Sequence, residues 1–150
     1  MSLQDRVMEE MKAAMKAKDS VALESLRAIK SALLMAKTEK GGGKPLTEAD
    51  EIALVQKQVK QRKESAAIYQ EQGREDLAGP ELAQVAVLER FLPEQLSEAE
   101  IEQVVAETIE KLNAGGMQDM GKVMGAVTQQ LAGSADGKTI AAIVRKKLAS

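Results

Sequence analysis

Apolar residues recur along this chain at intervals of three and four and never in a convincing alternation, so the periodicity predicts helices and no sheet. Leu3, Val7, Met11 and Met15, with Met8 beside them, predict a first amphipathic helix that ends near Lys18-Asp19. Asp19 or Ser20 is placed to cap a second, whose stripe of Leu23, Leu26, Ile29, Leu33 and Ala36 runs up to Lys40. Gly41-Gly42-Gly43-Lys44-Pro45 then predicts a flexible loop. Thr47-Glu48-Ala49-Asp50 has the form of a capping box, with Asp where Glu or Gln is usual. It opens a long helix ending at Gly73, with Ile52, Val55, Val59, Ala66 and Tyr69 on its apolar face. Gly79-Pro80 predicts the next break, with Pro80 in the first turn of a helix carrying Leu82, Val85, Leu88 and Leu92. Pro93 ends that helix.

Ser97-Glu98-Ala99-Glu100 is a better capping box and starts the stripe Ile101, Val104, Val105, Thr108 and Leu112, which Asn113-Ala114-Gly115-Gly116 stops. Met117, Met120, Val123, Met124, Val127 and Leu131 share one face of a sixth helix that Gly133 ends. Asp136 is placed to cap the last, whose Ile140, Ile143, Val144 and Leu148 face inward. The predicted fold is all-α, with about four helices in residues 1–92 and a small three-helix unit in residues 93–150, divided at Pro93-Glu94-Gln95-Leu96-Ser97.

Composition narrows the chemistry. Tyr69 and Phe91 are the only aromatics, so Ala, Leu, Val, Ile and the 8 Met supply nearly all the apolar area. With no cysteine and no histidine, thiol nucleophiles, disulfides, Ser-His-Asp relays and the usual zinc sites are excluded. No cofactor or metal is expected. The first residues are charged and amphipathic rather than signal-like, and no stretch approaches the length of a membrane span, which reads as a cytoplasmic protein without membrane attachment. The net charge is -2; residues 1–92 hold 15 basic and 15 acidic residues and residues 93–150 hold 6 and 8. Any surface for a polyanion must therefore be local.

Several constellations are candidates for chemistry. Gly133-Ser134-Ala135-Asp136-Gly137-Lys138-Thr139 fails as a nucleotide loop: it has three residues between its glycines instead of four, no strand precedes it, and Asp136 repels phosphate. It reads instead as a helix cap whose N-terminus can still touch a nucleic-acid phosphate. Lys138 and Arg145 lie seven apart on the outer face of the last helix, with Lys146 beside them, and Lys122 points away from the methionine stripe. Together they make a modest basic surface able to contact a few phosphates, although such cations also arise simply as a solvated face. Gly121 and Gly125 lie four apart inside a helix, where each costs about 1 kcal/mol relative to alanine. Packing of a neighbouring helix inside the small unit is the favoured compensation, a close-lying sugar-phosphate backbone the other. Lys57, Lys60, Arg62 and Lys63 form the densest basic run, and Arg62, at the flank of the apolar face, is expected to be partly buried and paired with an acid from another helix. Paired carboxylates such as Glu9-Glu10 diverge on a helix, so no catalytic dyad emerges.

Five segments together carry a resemblance: Lys60-Gln61-Arg62-Lys63-Glu64-Ser65, Gly73-Arg74-Glu75-Asp76-Leu77, Leu92-Pro93-Glu94-Gln95-Leu96-Ser97, Met120-Gly121-Lys122-Val123-Met124-Gly125 and Ala135-Asp136-Gly137-Lys138. In register over essentially the whole chain, they resemble the YqeY-like family. That family is similar to a free-standing copy of the C-terminal tail of the B subunit of the glutamine-dependent tRNA amidotransferase. The resemblance implies a helical front unit, a small helical rear unit that engages tRNA, and the chains of the amidotransferase as partners. The label of carbon–nitrogen ligase with glutamine as amido donor would then describe the assembly, since the hydrolytic and ATP-dependent regions have no counterpart in this chain. The rear motif carries over onto Gly121, Lys122, Gly125, Asp136, Gly137 and Lys138, with Asp136 structural and the lysines as phosphate contacts. Gly79-Pro80-Glu81 departs from the continuous acidic helical segment of the family. The leading expectation is a non-catalytic tRNA-associated module; the alternative is a protein-interaction or regulatory module without RNA binding.

Overall fold

Short polar side chains start the helices by accepting orphan amides. Ser2 Oγ accepts the Asp5 N–H at 3.2 Å and opens α1, Leu3–Ala17. Asp19 accepts the Ala22 N–H at 3.0 Å and opens α2, Ser20–Glu39. Thr47 and Asp50 form a reciprocal box at the start of α3, Glu48–Glu71, as Ser97 and Glu100 do at α5, Glu98–Leu112. The remaining elements are α4, Glu75–Glu89, a 3-10 turn over Met117–Asp119, α6, Met120–Gln130, and α7, Gly137–Ala149. This computed structural model describes residues 2–39 and 45–149, among which there is no strand. The predicted Gly41-Gly42-Gly43 loop, with Lys40 and Lys44, lies outside the described residues.

Three predicted details are corrected. Met15 is 59% exposed and Ala14 takes its place in the core, because steps of four drift about 40° each around a helix of 3.6 residues per turn. The long helix stops at the Gly73 turn as expected, whereas the further break expected at Gly79-Pro80 is absent. The turn between α3 and α4 is Gln72–Arg74, where Gly73 takes φ +70° and the Arg74 N–H reaches back to Tyr69 O at 2.7 Å. Pro80 therefore sits inside α4. Packing overrides the breaker there: Ala78, upstream of Pro80, is fully buried, and Val85 and Leu88 on the same helix enter the core. The sixth helix begins only at Met120, since Gly116 at φ +78° and the 3-10 turn leave Met117 47% exposed.

The chain divides into two compact units, Met1–Leu92 and Pro93–Ser150. In the first, Leu3, Val7, Leu26, Ile29, Val55 and Leu88 belong to one apolar cluster. Arg6 stacks on the Phe91 ring at 5.1 Å and donates to Arg90 O, while Arg90 pairs with Glu10 at 3.1 Å. In the second, Ile101, Val105, Val123, Val127, Ile140 and Val144 form another cluster. Its buried Thr108 is satisfied by Val104 O at 2.7 Å and by the Gln130 amide at 3.1 Å.

Candidate nucleic-acid interface

The rear unit buries one side of α6 through Val123 and Val127, which leaves Gly121, Lys122 and Gly125 exposed. A methyl group added at either glycine would meet no atom within 4 Å beyond its own stretch of helix. The expectation that another helix of this unit packs across these glycines is therefore overturned. No neighbouring group of the described chain stands where a side chain at either position would begin, so the backbone there is open to an approaching molecule.

Helix α7 presents a second open element. Asp136 Oδ1 accepts the Thr139 N–H at 2.7 Å, and the Asp136 carbonyl accepts the Ile140 N–H at 3.1 Å. Gly137, the first helical residue, is exposed, with nothing within 4 Å of an added methyl group. Ile140 and Val144 turn inward, so Lys138 and Arg145 share the outer face, and Lys146 is exposed in the last turn.

Lys122 stands in the first turn of α6, about 12 Å of helix away from the turn that leads to Lys138. The described ion pairs, Arg74–Asp76 and Arg90–Glu10, are both in the first unit, and Lys122, Lys138 and Arg145 face water without a carboxylate partner among the described residues. Their charge is available to an anion.

Gln95 is a contributor that the sequence does not single out. Its amide donates to Gly133 O at 2.7 Å and to Pro93 O at 2.9 Å, and the neighbouring Leu96 N–H donates to Ser134 O at 2.9 Å. The segment before α5 thus braces the turn that aims the N-terminus of α7. A glutamine serving a carbonyl 38 positions away leaves no periodic signal.

The remaining candidates resolve differently. Arg62 is half-buried as expected, but its Nε donates to Gln84 of α4 at 2.7 Å, and its guanidinium also reaches Gln58 Oε1 at 2.8 Å. Neutral amides, not an acid, receive it. Lys57, Lys60 and Lys63 are solvent-facing on α3. Among the described residues no group of three or more acidic, histidine or cysteine side chains is placed to hold a metal ion, and no helix is long and apolar enough to cross a membrane. Glu100 is held below the ordinary glutamate range by the Ser97 N–H and hydroxyl, and Asp76 below its own by the Arg74 guanidinium. These are capping and surface contacts of exposed carboxylates.

Known proteins give this arrangement a context. The chain is 33% identical over 133 residues to Altered inheritance of mitochondria protein 41, mitochondrial, from Pyrenophora tritici-repentis, covering 87% of this chain and 71% of that protein. It is also 41% identical over 58 residues to the E subunit of the glutamyl-tRNA(Gln) amidotransferase from Thermococcus gammatolerans, covering 39% of this chain but only 9% of that relative. This second similarity is to the E subunit, whereas the sequence motifs resemble the tail of the B subunit. A model of the family described as Yqey-like protein matches residues 4–148, nearly every element described above, and the chain therefore belongs to the Yqey-like protein family.

Proposed function

We propose that this protein is a non-catalytic module that docks on folded tRNA, with residues 93–150 against the ribose-phosphate backbone. In this reading residues 1–92 and 93–150 are separate domains of four and three helices, and the second corresponds to the tail of the tRNA-dependent amidotransferases. The observation that carries it is the open α6 face: Gly121 and Gly125 allow close approach, and Lys122 between them offers an unpaired positive charge. Lys138, Arg145 and Lys146 add cations on α7, and Gly137 leaves its N-terminal amides accessible. Having almost no aromatics, the protein lacks platforms for stacking on splayed bases, so shape and phosphate contacts dominate. Carbon–nitrogen ligase chemistry with glutamine as amido donor belongs, on this reading, to an assembly with amidotransferase subunits. The cytoplasm is the proposed compartment; the fungal relative's name assigns that protein to mitochondria, and fractionation of the tagged chain distinguishes the two.

Gel-shift titration of the full chain with unfractionated tRNA at several salt concentrations tests the proposal. Contacts to three or four phosphates give a logarithmic salt slope of roughly that number, and Lys122→Glu with Lys138→Glu lowers it by about two. Absence of binding at low salt, or a slope indifferent to those substitutions, overturns the tRNA reading in favour of a protein-interaction module. Purified protein given glutamine, ATP and misacylated tRNA is expected to yield no amidated product.

A further inference from the structure

The first unit carries an apolar feature that RNA binding leaves unused. Between α2 and α3 runs an open trough with a volume of about 570 Å³. Its walls are low where Ala32, Ala36 and Ala53 stand, and Leu46 and Leu54 line the rest of its apolar surface. Met35, which lines it, is 65% exposed, and the adjacent Leu34, which lines a neighbouring recess with Met35, Thr38 and Glu39, is 64% exposed; they are the two most exposed large apolar side chains described. Adjacent apolar side chains held this far into water mark a contact surface more often than a solvated one, and methionine is suited to adapting to a partner's shape.

We propose that this trough receives one amphipathic helix of a partner protein, lying with its N-terminal end beside Glu39 and its C-terminal end beside Lys57. The shape argues for a helix. Two helices wall the trough, small residues line it, and it is open above, which is the form in which a helix presents anchors at i, i+3, i+4 and i+7. The charges argue for its direction. Glu39 ends α2, and its carboxylate lines one end of the trough. Lys57 lines it on α3, seven residues beyond Asp50, about 10 Å or two helical turns along. A helix carries positive partial charge at its N-terminus and negative at its C-terminus, so its dipole matches this trough in one orientation only. The same polarity favours a basic residue in the partner's first turn and an acidic one in its last.

The proposal is independent of tRNA binding and is tested on the full chain. A displayed library of stapled helical peptides of roughly 16 residues, long enough for four turns, is selected on the wild-type protein and counted against Ala53→Arg. Ala53 is exposed, so arginine there fills the trough while leaving the core alone, which circular dichroism and thermal melting verify. Selected peptides are expected to share the i, i+3, i+4, i+7 apolar spacing, with a basic first turn and an acidic last turn, and to bind Ala53→Arg at least about tenfold more weakly. Repeating the selection on Lys57→Glu should exchange the acidic last turn for a basic one. Failure to enrich such peptides, equal binding to Ala53→Arg, or indifference to Lys57→Glu overturns the proposal. So does concentration-dependent self-association of the full chain that Met35→Asp abolishes, because the trough would then belong to a second copy.

Discussion

The Gln95 amide donates to the Gly133 carbonyl at 2.7 Å, fastening the approach to α5 onto the turn between α6 and α7. A neutral side-chain hydrogen bond of this kind contributes about 1 kcal/mol. Gln95→Ala is therefore expected to destabilise the rear unit by about that amount in urea titration. The Leu96 amide, bonded to Ser134 O beside it, should exchange with solvent faster. Unchanged protection at Leu96 would mean that the brace is not needed.

Gly121→Ala and Gly125→Ala should separate stability from binding. With nothing within 4 Å of the added methyl, each substitution is expected to stabilise α6 by about 1 kcal/mol, seen as a higher melting temperature. The same methyl groups hold a docked backbone further off, so tRNA affinity is expected to fall as stability rises. Alanine variants that bind tRNA as tightly as wild type would place the RNA elsewhere.

Pro80 deprives the Asp76 carbonyl of its helical amide, since a proline four residues on has no N–H to donate. Pro80→Ala restores the donor at some cost in unfolded-state entropy. The net expected gain is roughly 1–2 kcal/mol, read by chemical denaturation. A loss of stability would show that the ring is packed rather than tolerated.

The box at the start of α5 gives a pH signature. Because the Ser97 N–H and hydroxyl favour ionised Glu100, its folded pKa lies below the unfolded one. Its contribution to stability is thus complete above the ordinary glutamate range, near about 4.3, and is lost as pH falls through the lower folded value. Carboxyl-carbon NMR should show Glu100 titrating below the other exposed glutamates, and Ser97→Ala, which removes the hydroxyl but keeps the backbone N–H, should move it only part of the way back to their range. Coincident titration in the wild type would contradict the assignment.

Much of the fold is legible in the sequence because its determinants are local. Thr47 with Asp50, Ser97 with Glu100, and Asp136 with Thr139 each join residues three apart, within the reach of pattern reading. What escapes depends on distant neighbours. Gly79-Pro80 reads as a second break until the burial of Ala78 is known, although the turn that does separate the helices, at Gly73 with its positive φ, is read correctly. Arg62 reads as half-buried and is, yet its partner on α4 is 22 residues away, and periodicity does not tell Gln84 from a carboxylate. Of the candidate interface, the exposed cations are visible in the helical phase of α6 and α7. The emptiness around Gly121 and Gly125 is not, because a glycine pair looks the same whether a helix covers it or nothing does.

The exposed thioethers have a chemical consequence. Met8, Met15, Met35 and Met117 are 42%, 59%, 65% and 47% exposed, whereas Met11, Met120 and Met124 are half-buried against the two cores. A mild oxidant therefore reaches the first four before the others, and sulfoxide formation there adds polarity without opening either core. At Met35 that change would wet the rim of the α2–α3 trough. Peroxide would act on its surface long before it unfolds the protein, and sulfoxide reductases would reverse the effect.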